Sequence, residues 1–92
     1  MEPYMDTLPQ DDTVSDEAPS SEEVTAYDRA HLKIYMRLLD AKAQGAHQDE
    51  VCKVLFAIDP AKEPDRARAA YDTHHRRAVW FTETGYRKLL EE

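Results

Sequence analysis

The sequence predicts a small all-α domain of three to four helices that follows an acidic segment without regular structure. The 92-residue chain has only two glycines, and it is rich in Ala, Leu, Arg and Glu, which favours helices over a turn-rich β fold. From about residue 25 onward, apolar residues recur at helical spacing. A chain of this length forms at most one domain with a modest core.

Residues 1–24 are predicted to be a disordered acidic tail. They contain eight acidic residues, no Lys or Arg, and three of the five prolines. Such a segment cannot bury enough apolar surface to offset the entropy lost on ordering. Residues 25–92 contain eleven acidic and twelve basic residues, so the tail carries a charge of −8, the rest carries +1, and the net charge is −7. The tail is either a solubilising extension or an acidic arm that competes with nucleic acid for a basic surface.

The helical domain, residues 25–92, starts with a helix that is predicted to begin at Thr25 and end near Gln44. Thr25 is a capping residue with Asp28 three positions later, and Gly45 is the expected C-terminal stop. The apolar side of this helix is wide and has two neighbouring flanks, namely Tyr27, Ile34, Leu38 and Ala41, and Leu32, Tyr35, Leu39 and Ala43. Such a wide side is typical of a central helix packed on two sides.

The second helix is predicted over residues 47–56, with a buried side made of Val51, Val54, Leu55 and Ile58. Pro60 and Pro64 then exclude a continuous helix, and Pro64 suits the first turn of a third helix that ends near Phe81. The apolar face of that helix contains Ala67, Ala70, Tyr71, His74, Ala78 and Phe81.

Trp80 lies off the apolar face of the third helix, so we expect it to pack under the last segment or to remain partly exposed. Residues 83–90 are predicted to form a short terminal helix or turn. Its apolar residues Tyr86, Leu89 and Leu90 are expected to fold back on the core.

Motifs for catalysis, cofactor binding or metal binding are absent from the sequence. There is no C-x-x-C, no Gly-rich phosphate loop and no G-x-S-x-G. The single cysteine, Cys52, adjoins apolar positions and is predicted to be a core residue in a reducing cytoplasm. We therefore expect a protein that is not an enzyme and that needs no cofactor and no metal.

The second helix, the turn and the third helix follow a helix-turn-helix plan, which makes DNA binding a serious alternative. Asp65 and Asp72 interrupt the positive face that a DNA reader needs, and the domain is close to neutral. Weak or absent DNA binding is expected, or DNA binding that the acidic tail inhibits. The candidate DNA-binding residues are Arg66, Arg68, Arg76 and Arg77.

Three stretches of the chain, residues 27–41, 58–68 and 82–90, resemble a proteobacterial domain-of-unknown-function family from integrative and conjugative elements. The pattern I-D-P-x-x-E-P at residues 58–64 is the most specific part. The resemblance implies an extended-turn variant of the helix-turn-helix. Activators of that family carry an additional N-terminal domain and bind promoter DNA, whereas antiactivators have this domain alone and bind the activator's N-terminal domain.

The acidic tail stands where an activator of that family has its extra domain, so the resemblance implies an antiactivator that blocks excision and transfer of the element. The expected partner is a transcriptional activator, and a quorum-sensing regulator is a second candidate. We expect a monomer that does not bind membranes. The candidate protein-binding residues are Tyr27, Asp28, His31, Tyr35, Arg77 and Trp80.

Overall fold

The computed structural model describes residues 14–91, and the prediction of disorder for residues 1–13 lies outside this range. The described part is all-helical and contains no strand, which confirms the predicted fold class. Its α-helices are α1 (Ala26–Ala30), α2 (Leu32–Ala43), α3 (Gln48–Val51), α4 (Pro64–Trp80) and α5 (Tyr86–Leu90). Two π-helical turns, Cys52–Phe56 and Phe81–Gly85, follow α3 and α4. None of the helices in residues 14–91 is long and apolar enough to cross a membrane.

The predicted first helix is present, but it is interrupted at His31. A capping box between Thr25 and Asp28 starts α1, as the sequence indicated, and Gly45 with φ 77° follows the end of α2. At His31 the backbone leaves helical geometry, with φ −120° and ψ 23°. The His31 ring Nδ1 hydrogen-bonds the Tyr27 carbonyl at 2.8 Å, so the side chain competes for an acceptor of the helical ladder.

Helix α2 lies between two core clusters, which confirms the prediction of a central helix packed on two sides. The first core cluster receives Leu38 from α2 and the second receives Tyr35. The buried members of the first core cluster are Leu38, Val51, Cys52, Phe56, Ile58, Ala67, Ala70 and Tyr71. Those of the second core cluster are Tyr35, Ala78 and Phe81. The predicted apolar face of the third helix is thus buried as expected.

Helix α3 and helix α4 form the helix-turn-helix, joined by an extended connection over residues 57–63. Ala57 ends the π-helical turn in the left-handed conformation, with φ 58°. Pro64 occupies the first turn of α4, as predicted. The expectation that Val54 is buried was wrong, since it is 70% exposed while Phe56 is 5% exposed. The wider π-helical turn rotates the following residues relative to an α-helix, so the apolar face shifts.

The C-terminal residues also depart from the expected packing. Leu89 packs against the second core cluster, but Tyr86 and Leu90 are 55% and 67% exposed, so they do not fold back as predicted. The π-helical turn that precedes α5 again changes which residues face the core. Trp80 is half-buried against the second core cluster, as expected.

Candidate interaction site

A buried ion pair connects α1 to α4. Arg77 Nη2 lies 2.7 Å from Asp28 Oδ2, and Arg77 Nε donates to Asp28 Oδ1 at 2.9 Å, so the pair is bidentate. The two side chains are 3% and 0% exposed. Tyr35 also donates its hydroxyl proton to Asp28 Oδ1 at 2.6 Å, and the Thr25 amide donates to Asp28 Oδ2. Four donors from three segments therefore satisfy one carboxylate.

The protonation states of this network follow from its geometry. Burial alone would raise the pKa of Asp28, but hydrogen bonds from Arg77, Thr25 and Tyr35 outweigh burial and lower that pKa. Burial and the neighbouring Asp28 carboxylate raise the pKa of Tyr35, so its hydroxyl remains a donor. The carboxylate is thus held ionised and the phenol neutral at ordinary pH.

A second cluster of polar contacts lies around His74 in the interior of the domain. The Tyr27 hydroxyl lies 2.6 Å from His74 Nε2, and His74 Nδ1 lies 2.7 Å from the Ala70 carbonyl. Since a carbonyl only accepts, Nδ1 carries the proton and Nε2 accepts from Tyr27. The His31 ring stacks on Tyr27 with centroids 3.9 Å apart. Burial lowers the pKa of His74, which keeps the imidazole neutral.

Residues 14–24, which we call the strap, run along α4 in the same direction as the helix. The strap forms no helix or strand, in keeping with its composition, but it makes contacts that the sequence did not indicate. Its polar contacts to α4 are Asp16 to Arg66 at 2.7 Å, the Ala18 amide to Thr73 Oγ1 at 3.0 Å, and the Ser21 and Glu23 carbonyls to Arg77 at 2.5 and 2.9 Å.

Apolar residues hold both ends of the strap. Val14 packs against the first core cluster and Val24 against the second, and the Ser15 amide donates to the Tyr27 hydroxyl at 3.0 Å. A tail without fixed contacts was predicted for residues 1–24, and for residues 14–24 that expectation has to be corrected. The charged side chains of α4 supply partners that the composition of the strap alone does not reveal.

The six residues predicted to bind a protein partner lie close together, around the Asp28–Arg77 ion pair and the polar contacts of His74. Four of them are buried, namely Asp28, His31, Tyr35 and Arg77, and Tyr27 and Trp80 are half-buried. The Arg77 guanidinium lies 3.8 Å from the centroid of the Trp80 ring. Their direct role in binding stays a prediction, because in this structure the cluster joins α1, α2, α4 and the strap. The pairing of Asp28 with Arg77 spans 49 positions, so no local sequence pattern signals it.

The four arginines predicted as DNA readers do not form one free positive face. Arg77 is buried with Asp28, and Arg66 is exposed but pairs with Asp16 and Glu63. Arg68 and Arg76 are exposed, and the ion pairs between described residues do not include them. Two of the four guanidinium groups are therefore already matched by carboxylates of the same chain.

Cys52 lies in the first core cluster, as predicted. The side chain is 1% exposed and its thiol contacts the Ala67 carbonyl at 3.6 Å. Burial raises the pKa of the Cys52 thiol, so the reactive thiolate is disfavoured. Within residues 14–91, no group of three or more His, Cys, Asp or Glu residues is placed to hold a metal ion.

The helical architecture, with an extended connection before a long second helix of the helix-turn-helix, defines a small regulatory domain of the DNA-binding class. A family model described as the DNA-binding domain of a T6SS transcription factor, RovC_DNA-bd, matches residues 8–91. The chain belongs to this family, which is a family of transcription-factor domains and not of enzymes. No curated protein matches the chain.

Proposed function

We propose that the protein is an antiactivator. It binds a transcriptional activator of its own family through the activator's N-terminal domain, and thereby blocks excision and conjugative transfer of a mobile element, in the manner of the antiactivator QseM that the sequence resembles. The observation that carries this proposal is the pairing of α4 arginines with carboxylates of the same chain. This helix has the position of a DNA-reading helix, but Asp28 and Asp16 of the same chain hold two of its four arginines.

Charge further supports protein binding over DNA binding. Affinity for DNA depends on cations that replace the counterions of the phosphates. The strap places Asp16 and Glu17 beside α4, and Glu22 and Glu23 follow near Arg77. A phosphate backbone that approaches this side of α4 meets the carboxylates of the strap beside Arg66 and Arg77. Binding of a protein partner does not require a continuous cationic face of this kind.

The direct test is calorimetric titration of the full chain with the activator's isolated N-terminal domain. We expect saturable binding and, in cells, loss of activator-dependent transcription when the protein is expressed. The variant Arg68→Ala is the matched control, because Arg68 is an exposed arginine of α4 away from the strap. It should leave the affinity for the activator domain unchanged. If no binding heat is detected at about 100 μM, a concentration that reveals even weak complexes, the proposal fails.

A second candidate function is a DNA-binding regulator whose own acidic segment inhibits it. Two observations favour it, namely the family of the chain and the position of the strap along α4. Full-length protein with the substitutions Asp16→Asn and Ala18→Pro should then retard promoter DNA at low salt, and Arg68→Ala in the same background should reduce that retardation. If neither protein shifts promoter DNA at about 50 mM salt, where phosphate contacts are strongest, this reading is wrong.

A further inference from the structure

We infer that the side of α4 beneath the strap is a docking groove for an extended acidic segment of a protein partner, and that the strap is its resident occupant. Beside the strap, a space of about 680 Å³ stays open toward the C-terminal half of α4 and the residues that follow, and residues 17–22 of the strap form one wall of it. Its floor is formed by Thr73, Arg76, Arg77, Trp80, Thr84 and Lys88. The inference rests on the proposed function and names the surface that would serve it.

The contacts of the strap show what kind of chain the groove accepts. Arg77 donates to the main-chain carbonyls of Ser21 and Glu23, and Thr73 accepts the main-chain amide of Ala18. These contacts recognise an extended backbone and not particular side chains. The buried carboxylate of Asp28 fixes the guanidinium of Arg77, so its remaining donors are directed at the strap before anything binds.

The charge of the groove selects an acidic occupant. Arg76 and Lys88 line it, and Arg66 lies further along the strap, where it pairs with Asp16. The resident strap brings Glu17 and Glu22 to the same groove. A partner segment with carboxylates at similar spacing would place them beside the same cations, whereas a basic segment would be repelled.

The strap is held in a way that permits exchange. Its ion pair with Arg66 is exposed, with side chains 42% and 62% accessible, and exposed pairs contribute little. Apart from Val14 and Val24 at its two ends, the strap is held to α4 by hydrogen bonds of the Ala18 amide to Thr73 and of the Ser21 and Glu23 carbonyls to Arg77. A partner segment therefore competes with an intramolecular occupant whose advantage is its high local concentration.

The experiment uses Trp80, the only tryptophan of the chain, as a reporter on the groove floor. A synthetic peptide of residues 14–24 is titrated into three full-length proteins, and Trp80 fluorescence is followed. The first is the natural sequence. The second carries Val14→Ser, Asp16→Asn and Ala18→Pro, which weaken the strap and leave every residue of the groove floor unchanged. Glu50→Gln, on the exposed side of α3, controls for an altered surface charge.

We expect the peptide to bind the strap-weakened protein roughly tenfold or more tightly than the natural one, since the internal competitor is reduced. The Glu50→Gln protein should behave as the natural one. A peptide with Gln or Asn at its acidic positions should bind more weakly to all three. Equal affinities for the natural and strap-weakened proteins would overturn the inference, and so would binding that leaves Trp80 fluorescence unchanged.

A parallel titration with the activator's N-terminal domain separates this inference from the proposed function. If the groove is the partner surface, the strap-weakened protein binds that domain more tightly and the 14–24 peptide competes with it. If the domain binds all three proteins equally without competition, the antiactivator proposal stands and the partner surface lies elsewhere. If the peptide binds as expected but the activator domain does not bind at all, the proposed function fails. The groove is then still a binding site for an acidic segment, but of a different partner.

Discussion

Arg77 is the residue on which most of the site depends, because it joins three parts of the chain. It pairs with Asp28 of α1, donates to the strap carbonyls and stacks on Trp80. Removing one partner of a buried pair leaves an uncompensated charge in the interior. The sequence offered Arg77 as a candidate both for DNA binding and for protein binding, and neither role indicates that its side chain is buried.

We predict that Arg77→Met destabilises the protein by about 3–5 kcal/mol, because it leaves the Asp28 carboxylate buried without its cation. Urea denaturation followed by circular dichroism measures the loss. Arg76→Ala, at the neighbouring exposed position, is the control and should change the free energy of unfolding by no more than about 0.5 kcal/mol. A change that small for Arg77→Met would show that the pair is not a structural requirement.

His74 makes stability depend on pH. Burial lowers its pKa in the folded state below the ordinary value of 6.5, with a further contribution from His31. The unfolded chain therefore binds a proton that the folded chain resists, and stability falls as pH drops below about 6.5. When the unfolded chain binds one proton more than the folded chain, the free energy of unfolding changes by about 1.4 kcal/mol per pH unit.

Denaturation midpoints measured from pH 7.5 to 5 test this prediction. His74→Gln should give a flatter profile at lower overall stability. His75→Gln should keep most of the slope, since His75 lies beside exposed Asp72 and is only half-buried, although burial lowers its pKa as well. If the profiles of the natural protein and His74→Gln run parallel, His74 is not the group responsible.

At the scale of elements, the two π-helical turns decide which residues face the core. The second of them brings Gly85 against the aromatic side chains of Trp80 and Phe81. A Cβ atom at Gly85 would lie 2.5 Å from the Trp80 ring and 2.7 Å from the Phe81 ring. The turn therefore requires a residue without a side chain at this position.

We predict that Gly85→Ala costs about 1–3 kcal/mol, as overpacking of a core does, and that it shifts Trp80 fluorescence. Gly45→Ala offers a contrast, because nothing lies within 4 Å of its Cβ position and only its φ of +77° is unfavourable. Asn at Gly45 should be better tolerated than Ala, since Asn adopts this conformation more readily. Asn at Gly85 should be worse than Ala, and the opposite order at Gly85 would contradict the steric explanation.

Local patterns predicted the helices well and the faces less well. Thr25, Gly45 and Pro64 act within a few residues of the positions they mark, so the starts and ends that they indicate are present. Val54 was assigned to the buried side of a regular helix, and Tyr86 was expected to fold back on the core as an apolar residue. Each is exposed, and each lies in or directly after a π-helical turn, which does not keep the angular spacing of an α-helix. No residue type signals such a turn by itself.

At the scale of the whole molecule, Cys52 reports on the integrity of the domain. It lies in the first core cluster, which combines residues of α2, α3, α4 and the connecting segments. We predict that its thiol reacts with a thiol reagent only when the domain unfolds, since burial both excludes the reagent and raises the pKa of Cys52.

The labelling rate should follow the unfolding free energy across the variants above, so that it is fast in Arg77→Met and slow in Arg76→Ala. Labelling at the rate of an exposed cysteine in the natural protein would contradict this prediction. Asp16→Asn with Ala18→Pro should leave the rate nearly unchanged, because neither residue belongs to the first core cluster.

The sequence by itself determined the all-helical class, the helix-turn-helix plan and the uneven distribution of charge. These properties depend on composition, on capping residues and on periodicity, all of which act over short stretches. The tertiary structure decided where that charge acts. Whether Arg66 and Arg77 face solvent or meet carboxylates 50 and 49 positions away depends on how distant segments pack, and no local pattern contains that packing. For this reason the sequence supplied the candidate arginines, and only the fold showed which of them its own chain already holds.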